Sequence, residues 1–264
     1  MMDAHPNSPV RLAPKLAEGI IPARRVWGML ALRSGLSFGL LLFLAGVYWL
    51  LGSQSPLADS SAWWLWFVSI TNIVCIVLLV RLGRLEGVRL RDLYFLARTT
   101  WKGDLLWFLL ALLGSAVFAM QPPIWSALFL WGDADLPNAL LFRPLPVLAV
   151  YPLFLLMPVT QALAELPIYW GYVAPRLRAS GWNRWAVIGV VGLMLSLQHM
   201  FFAFQWDWRY DVWLAFKFLP FALLCGFVID RRPTILPYLM LTHFLLDASL
   251  PFFALMVSNG MPLS

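Results

Sequence analysis

Charged side chains are scarce in this chain: Asp, Glu, Lys and Arg make up 12% of 264 residues, where a water-soluble domain carries about a quarter. That shortage excludes a soluble globular fold, because so few charges cannot solvate a chain that is 61% apolar. Acids are the scarcer sign, with 13 Asp and Glu against 19 Lys and Arg. The net charge of +6 does not describe a nucleic-acid surface, because the basic residues fall in short connections between apolar runs. No nucleic-acid partner is expected. Cysteine is nearly absent: Cys75 and Cys225 both lie inside apolar runs, so they read as packing residues and not as a disulfide framework. A secretory leader is not expected either, since the first 25 residues are polar and include His5, Arg11, Lys15, Arg24 and Arg25. No internal repeat or low-complexity segment is found.

What is abundant is long apolar sequence. The mean hydropathy is +0.77, and a membrane-spanning helix needs about 20 mostly apolar residues. Seven runs qualify: Leu36–Leu51, Trp63–Val80, Leu105–Met120, Leu145–Tyr172, Trp185–Phe204, Val212–Ile229 and Ile235–Leu250. An eighth short piece, Pro251–Val257, reads as a packed helix or an interfacial one. The expected fold is therefore an all-α polytopic transmembrane helical bundle of seven to eight spans. Residues 1–26 read as a cytoplasmic tail and residues 27–264 as a single transmembrane domain in contact with membrane lipids. The fourth run is too long for a straight span and should tilt or bend, with Pro158 and Pro167 as candidate bends. Of the 15 tryptophans, Trp63, Trp64, Trp66, Trp206, Trp208 and Trp213 sit at span ends, where an aromatic belt is expected.

Basic residues alternate between the connections. Arg11, Lys15, Arg24, Arg25 and Arg33 precede span one, and Arg81, Arg84, Arg89, Arg91, Arg98 and Lys102 separate spans two and three. Arg176, Arg178 and Arg184 follow span four, and Arg231 and Arg232 follow span six. The opposite connections hold Arg143 and Arg209 among five aspartates, and Lys217 stands near the start of span six. The positive-inside rule then places the N-terminus in the cytoplasm, with a bacterial inner membrane as the expected location.

Ionisable groups within spans are costly and mark function by default. Besides Lys217, they are Glu165 in QALAELPIYWGYVAPRL, His199 in LMLSLQHMFF, and His243 with Asp247 in LTHFLLDAS. His243 and Asp247 are four apart, so one helix face presents both. At about 1.5 Å of rise per residue, Glu165 and His243 lie roughly 16 Å from the nearest basic edge, and His199 and Asp247 roughly 22 Å. Three helices thus bring their polar groups to one level. Two histidines and two carboxylates at that level can activate water or bind a metal. Two other readings compete: a hydrogen-bond cluster that only pins the bundle, and a transporter proton relay.

These motifs resemble the CAAX protease and bacteriocin-processing family of intramembrane endopeptidases, also called the Abi family. Its pattern is EExxxRG, FxxxH and HxxxN/D. ELPIYWG is similar to the first motif with Glu165 and Gly171 in place, LSLQH to the second with His199, and HFLLD to the third with His243 and Asp247. The resemblance covers about residues 145–250. Three departures are Leu166 where a second Glu is expected, Trp170 where Arg is expected, and Leu195 for Phe. Leu166 and Trp170 are four apart, so together they read as a coupled replacement of an ion pair by apolar packing.

The resemblance implies cleavage of a membrane-associated peptide or protein. Glu165 would be general base on water, His199 would orient that water, and His243 with Asp247 would stabilise the oxyanion. It leaves metal dependence open: in a version using a divalent metal such as zinc, His199, His243 and Asp247 would be the ligands and Glu165 the base. The alternative is a catalytically inactive relative acting as a membrane binding or immunity-type protein.

Overall fold

The computed structural model describes residues 5–93 and 101–262, and Arg98 falls outside the described residues. Helices account for its regular structure: α1 (Pro9–Ala17), α2 (Ala23–Leu50), α3 (Pro56–Ser61), α4 (Trp64–Leu85), α5 (Leu90–Leu93), α6 (Trp101–Phe118), α7 (Gln121–Trp131), α8 (Leu136–Leu141), α9 (Val147–Val150) and α10 (Leu153–Leu166). A π-helical segment, Pro167–Val173, then leads into α11 (Ala174–Ala179) and α12 (Arg184–Leu197). The chain finishes with a 3-10 turn, Gln198–Phe201, then α13 (Trp208–Arg231), α14 (Leu236–Asp247) and α15 (Leu250–Ser258). Among the described residues there is no strand. Seven helical stretches are long and apolar enough to cross a membrane, from Ala23–Leu50 through Pro233–Ser258. The chain is an all-α polytopic integral membrane protein.

Local chemistry sets the element ends. Ser8 caps α1, its hydroxyl accepting from the Arg11 amide, with Pro9 in the first helical position. Asn183 and Asp207 cap α12 and α13 in the same way. Gly132, at φ 71°, ends α7 in the left-handed conformation that glycine adopts without steric penalty. The fourth span changes winding where the sequence suggests: Pro158 stays within α10, but the π segment begins at Pro167, which has no N–H to give the preceding turn. The eighth apolar piece is helical. It packs on the bundle, with Pro251 and Ala254 buried and the Ser258 hydroxyl accepting from the Leu145 amide at 3.0 Å.

In lipid the apolar surface of a helix gains little by contacting another helix, so close packing matters more. A Cβ on Gly192 would meet Leu223 at 2.9 Å, and one on Gly226 would meet the Trp170 ring at 2.3 Å. These two glycines let α13 lie tightly against α12 and the π segment. Trp170 is 3% exposed and Leu166 2%; both sit in the apolar core, as the coupled-replacement reading expects. Two tryptophans assigned to the belt are core residues instead. Trp64 packs on Phe142, and Trp213 is buried with its indole N–H donating to the Pro123 carbonyl at 3.0 Å. Both occupy the inward face of their helices, which end position alone does not reveal.

The N-terminal residues are folded onto the bundle. Leu12 is fully buried, and α1 packs on α11. Lys15 donates to the Glu86 carbonyl at 2.5 Å, and the Asn7 amide donates to the Gly171 carbonyl at 2.6 Å. Glu86 is itself buried, accepting from Arg176 Nε at 2.9 Å, Arg25 at 3.0 Å and the Tyr172 hydroxyl at 2.6 Å.

Candidate functional site

Glu165 lies in the last turn of α10 and is 1% exposed. Its Oε2 is 3.0 Å from Arg33 Nη2, and the Arg33 side chain is fully buried. Arg33 is therefore not a flanking loop residue, as the start of span one at Leu36 implies. Helix α2 begins at Ala23 and carries Arg33 into the bundle. The apolar residues on both sides of Arg33, Val26 to Leu32 and Leu36 onward, are the signal that would have found it.

Arg33 organises the interior. Its Nε donates to Gln198 Oε1 at 2.5 Å, its Nη2 also reaches Gln161 Oε1 at 3.1 Å, and its Nη1 donates to Asn72. Asn72 donates in turn to Gln161 Oε1 at 2.8 Å, and the Gln161 amide donates to Glu165 Oε2. The Tyr169 hydroxyl donates to Gln198 Oε1 at 3.1 Å. The ion pair thus has the hydrogen bonds that a buried charge pair requires. Asn72, Gln161 and Gln198 were not recognised from sequence, because neutral amides hardly alter hydropathy.

The two later motifs join this network from the other side. His243 Nε2 lies 3.1 Å from Asp247 Oδ2, four residues along α14 as the spacing predicts, and 3.4 Å from the Gln161 amide. The side chains of His243 and Asp247 are 12% and 15% exposed, so they form the rim of a cluster whose floor is Glu165. His199, in the 3-10 turn, makes a contact of 3.1 Å with the Ser196 carbonyl through Nδ1. A carbonyl only accepts, so Nδ1 carries the proton and, in the neutral ring, Nε2 keeps its lone pair. The imidazole stacks on Phe218, with centroids 3.5 Å apart. Gln161 touches both Glu165 and His243, and Gln198, the residue before His199, holds the same guanidinium as Glu165. The four residues read from sequence are thus linked through Gln161 and Arg33.

Four buried atoms there have no hydrogen-bond partner: Glu165 Oε1, His243 Nδ1, Gln198 Nε2 and Asp247 Oδ2, the last facing His243 Nε2 only as an ion-pair contact. A cavity of about 430 Å³ is lined by Tyr48, Asp59, Trp63 and Arg143, none of which belongs to this cluster.

The metal ligand set does not assemble. Among the described residues no three His, Cys, Asp or Glu side chains converge on a metal position. His243 and Asp247 stand together, and His199 keeps a free Nε2, but the three do not converge on one point, so as arranged these residues do not fit a zinc site. Lys217, the remaining intramembrane charge, lies over the Trp213 ring at 4.4 Å and 3.4 Å from Asn138 Oδ1, and its Nζ is 5.6 Å from the centroid of the Phe218 ring that stacks on His199.

Fold and site together define a polytopic helical membrane protein with an ion pair, two histidines and a second carboxylate clustered in its interior. No family model, curated protein or solved structure matches the chain.

Proposed function

We propose that the chain is an intramembrane endopeptidase similar to the CAAX protease and bacteriocin-processing family, hydrolysing a membrane-associated peptide without a metal. The observation that carries this reading is the asymmetry of the Glu165 carboxylate. Oε2 is anchored by Arg33 and Gln161, while Oε1 is buried and unpartnered. An anchored carboxylate with one free oxygen is suited to take a proton from water.

In this reading Glu165 Oε1 removes a proton from water, and the hydroxide oxygen bonds to the peptide carbonyl carbon. His199 Nε2 accepts a hydrogen bond from that water and positions it. His243, as the imidazolium held by Asp247 through Nε2, donates from Nδ1 to the oxyanion that forms. The C–N bond then breaks as the proton held by Glu165 passes to the leaving nitrogen, giving a carboxylic acid and an amine. The partly exposed His243–Asp247 edge is the entry for substrate from the bilayer, and the π segment beside Glu165 supplies backbone irregularity of the kind frequent at functional sites. The alternation of basic connections supports a cytoplasmic N-terminus, with a bacterial inner membrane as the proposed location.

A second reading, a catalytically inactive relative with a binding or immunity-type role, is favoured by one observation. Arg33 ties α2, α4, α10 and the 3-10 turn together, which is what an interhelical staple alone would do. Purified protein in proteoliposomes, incubated with membrane-associated peptides and read by mass spectrometry, separates the two. New peptide termini are expected; their absence across lipidated and unlipidated peptides would favour the inactive relative.

A further inference from the structure

Two glutamines flank the Arg33–Glu165 pair, and they are not equivalent. Gln161 has all its groups engaged: Oε1 accepts from Asn72 and Arg33, and Nε2 donates to Glu165. Gln198 is fully buried, and its Oε1 accepts from Arg33 and Tyr169, yet its Nε2 has no partner. The amide cannot be turned to repair this. A guanidinium only donates, so the atom facing Arg33 Nε must be oxygen, and the NH2 group is held on the other side. A buried donor without an acceptor is rare in folded proteins and calls for an explanation.

Its position supplies one. Gln198 and Glu165 contact adjacent nitrogens of the same guanidinium, and Gln198 immediately precedes His199 on the 3-10 turn. Glu165 Oε1 is thus a free acceptor and Gln198 Nε2 a free donor, on two side chains held by the same guanidinium. We propose that Gln198 is a further catalytic residue, whose amide NH2 donates to the carbonyl oxygen of the bound peptide and holds it as it becomes an oxyanion. The assignment rests on the endopeptidase reading and extends it: Glu165 receives the water proton while Gln198, with His243, receives the negative charge. Arg33 and Tyr169 hold the Gln198 carbonyl, so the donor is oriented before substrate arrives, the condition under which such donors are effective.

The test uses Gln198→Glu, which keeps an acceptor for Arg33 and Tyr169 but has no NH2, and Gln198→Met, which removes the donor without adding charge. Wild type, both variants and Glu165→Gln are compared in proteoliposomes for kcat and KM on one cleaved peptide, with thermal unfolding measured in parallel. Loss of an oxyanion donor costs roughly 100- to 1000-fold in kcat, so each folded variant should show that fall with KM changed far less. A folded variant of either kind with wild-type kcat overturns the assignment. If that happens while Glu165→Gln is inactive, Gln198 alone has been misassigned. If wild type cleaves nothing, or Glu165→Gln cleaves equally well, the endopeptidase reading falls and the Gln198 role falls with it.

Discussion

Arg33 on α2 and Glu165 at the end of α10 form an ion pair at 3.0 Å, with both side chains at most 1% exposed. The two residues are 132 positions apart, so this one contact joins the first span to the fourth. Removing one member of a buried pair leaves a charge without a partner and costs about 3–5 kcal/mol, whereas replacing both can be mild. Arg33→Met should therefore unfold at a much lower temperature in detergent than wild type. Arg33→Met combined with Glu165→Gln should be less destabilised than the two single losses added together. Additive losses would mean that the pair is not energetically coupled.

Much of this arrangement can be read before any coordinates. The span Trp63–Val80 is observed as Trp64–Leu85, since apolar length alone marks a helix in lipid. Glu165, His243 and Asp247 stand out because charge within an apolar run is expensive. Arg33 escaped because a basic residue just before a span looks like an ordinary topogenic charge. Glu86 is hidden among arginines in a similar way, although it is buried against Arg176. Tertiary pairing decides both cases, and hydropathy contains no record of it.

The Trp170 ring fills the space that Gly226 leaves open, with its outer atoms 2.3–2.9 Å from where a Cβ would stand. Gly226→Ala should destabilise the bundle by about 1–3 kcal/mol through overpacking. Trp170→Phe lacks those outer ring atoms, so Gly226→Ala should cost much less in that background. An equal cost in both backgrounds, measured by thermal unfolding, would show that Trp170 does not set the approach of α13.

Moving Arg33 into the bundle leaves the alternation of basic connections intact. Reporter fusions at Ala58, Arg91, Asp133 and Arg231 should read outside, inside, outside and inside in turn. A cytoplasmic Asp133 would overturn the orientation assigned to the α7–α8 connection.

The most direct test of the endopeptidase account is the rate of peptide cleavage by folded Glu165→Gln relative to wild type. Glutamine keeps the size and hydrogen-bonding reach of glutamate but is a poor acceptor of a proton from water. Because Arg33 then loses its counter-charge, Arg33→Met/Glu165→Gln and Arg33→Met serve as a second pair in which no guanidinium is stranded, and rates are normalised to the folded fraction. A fall of roughly 100-fold or more is expected for Glu165→Gln. Cleavage by folded Glu165→Gln at the wild-type rate would contradict the account and leave the buried network as a structural staple.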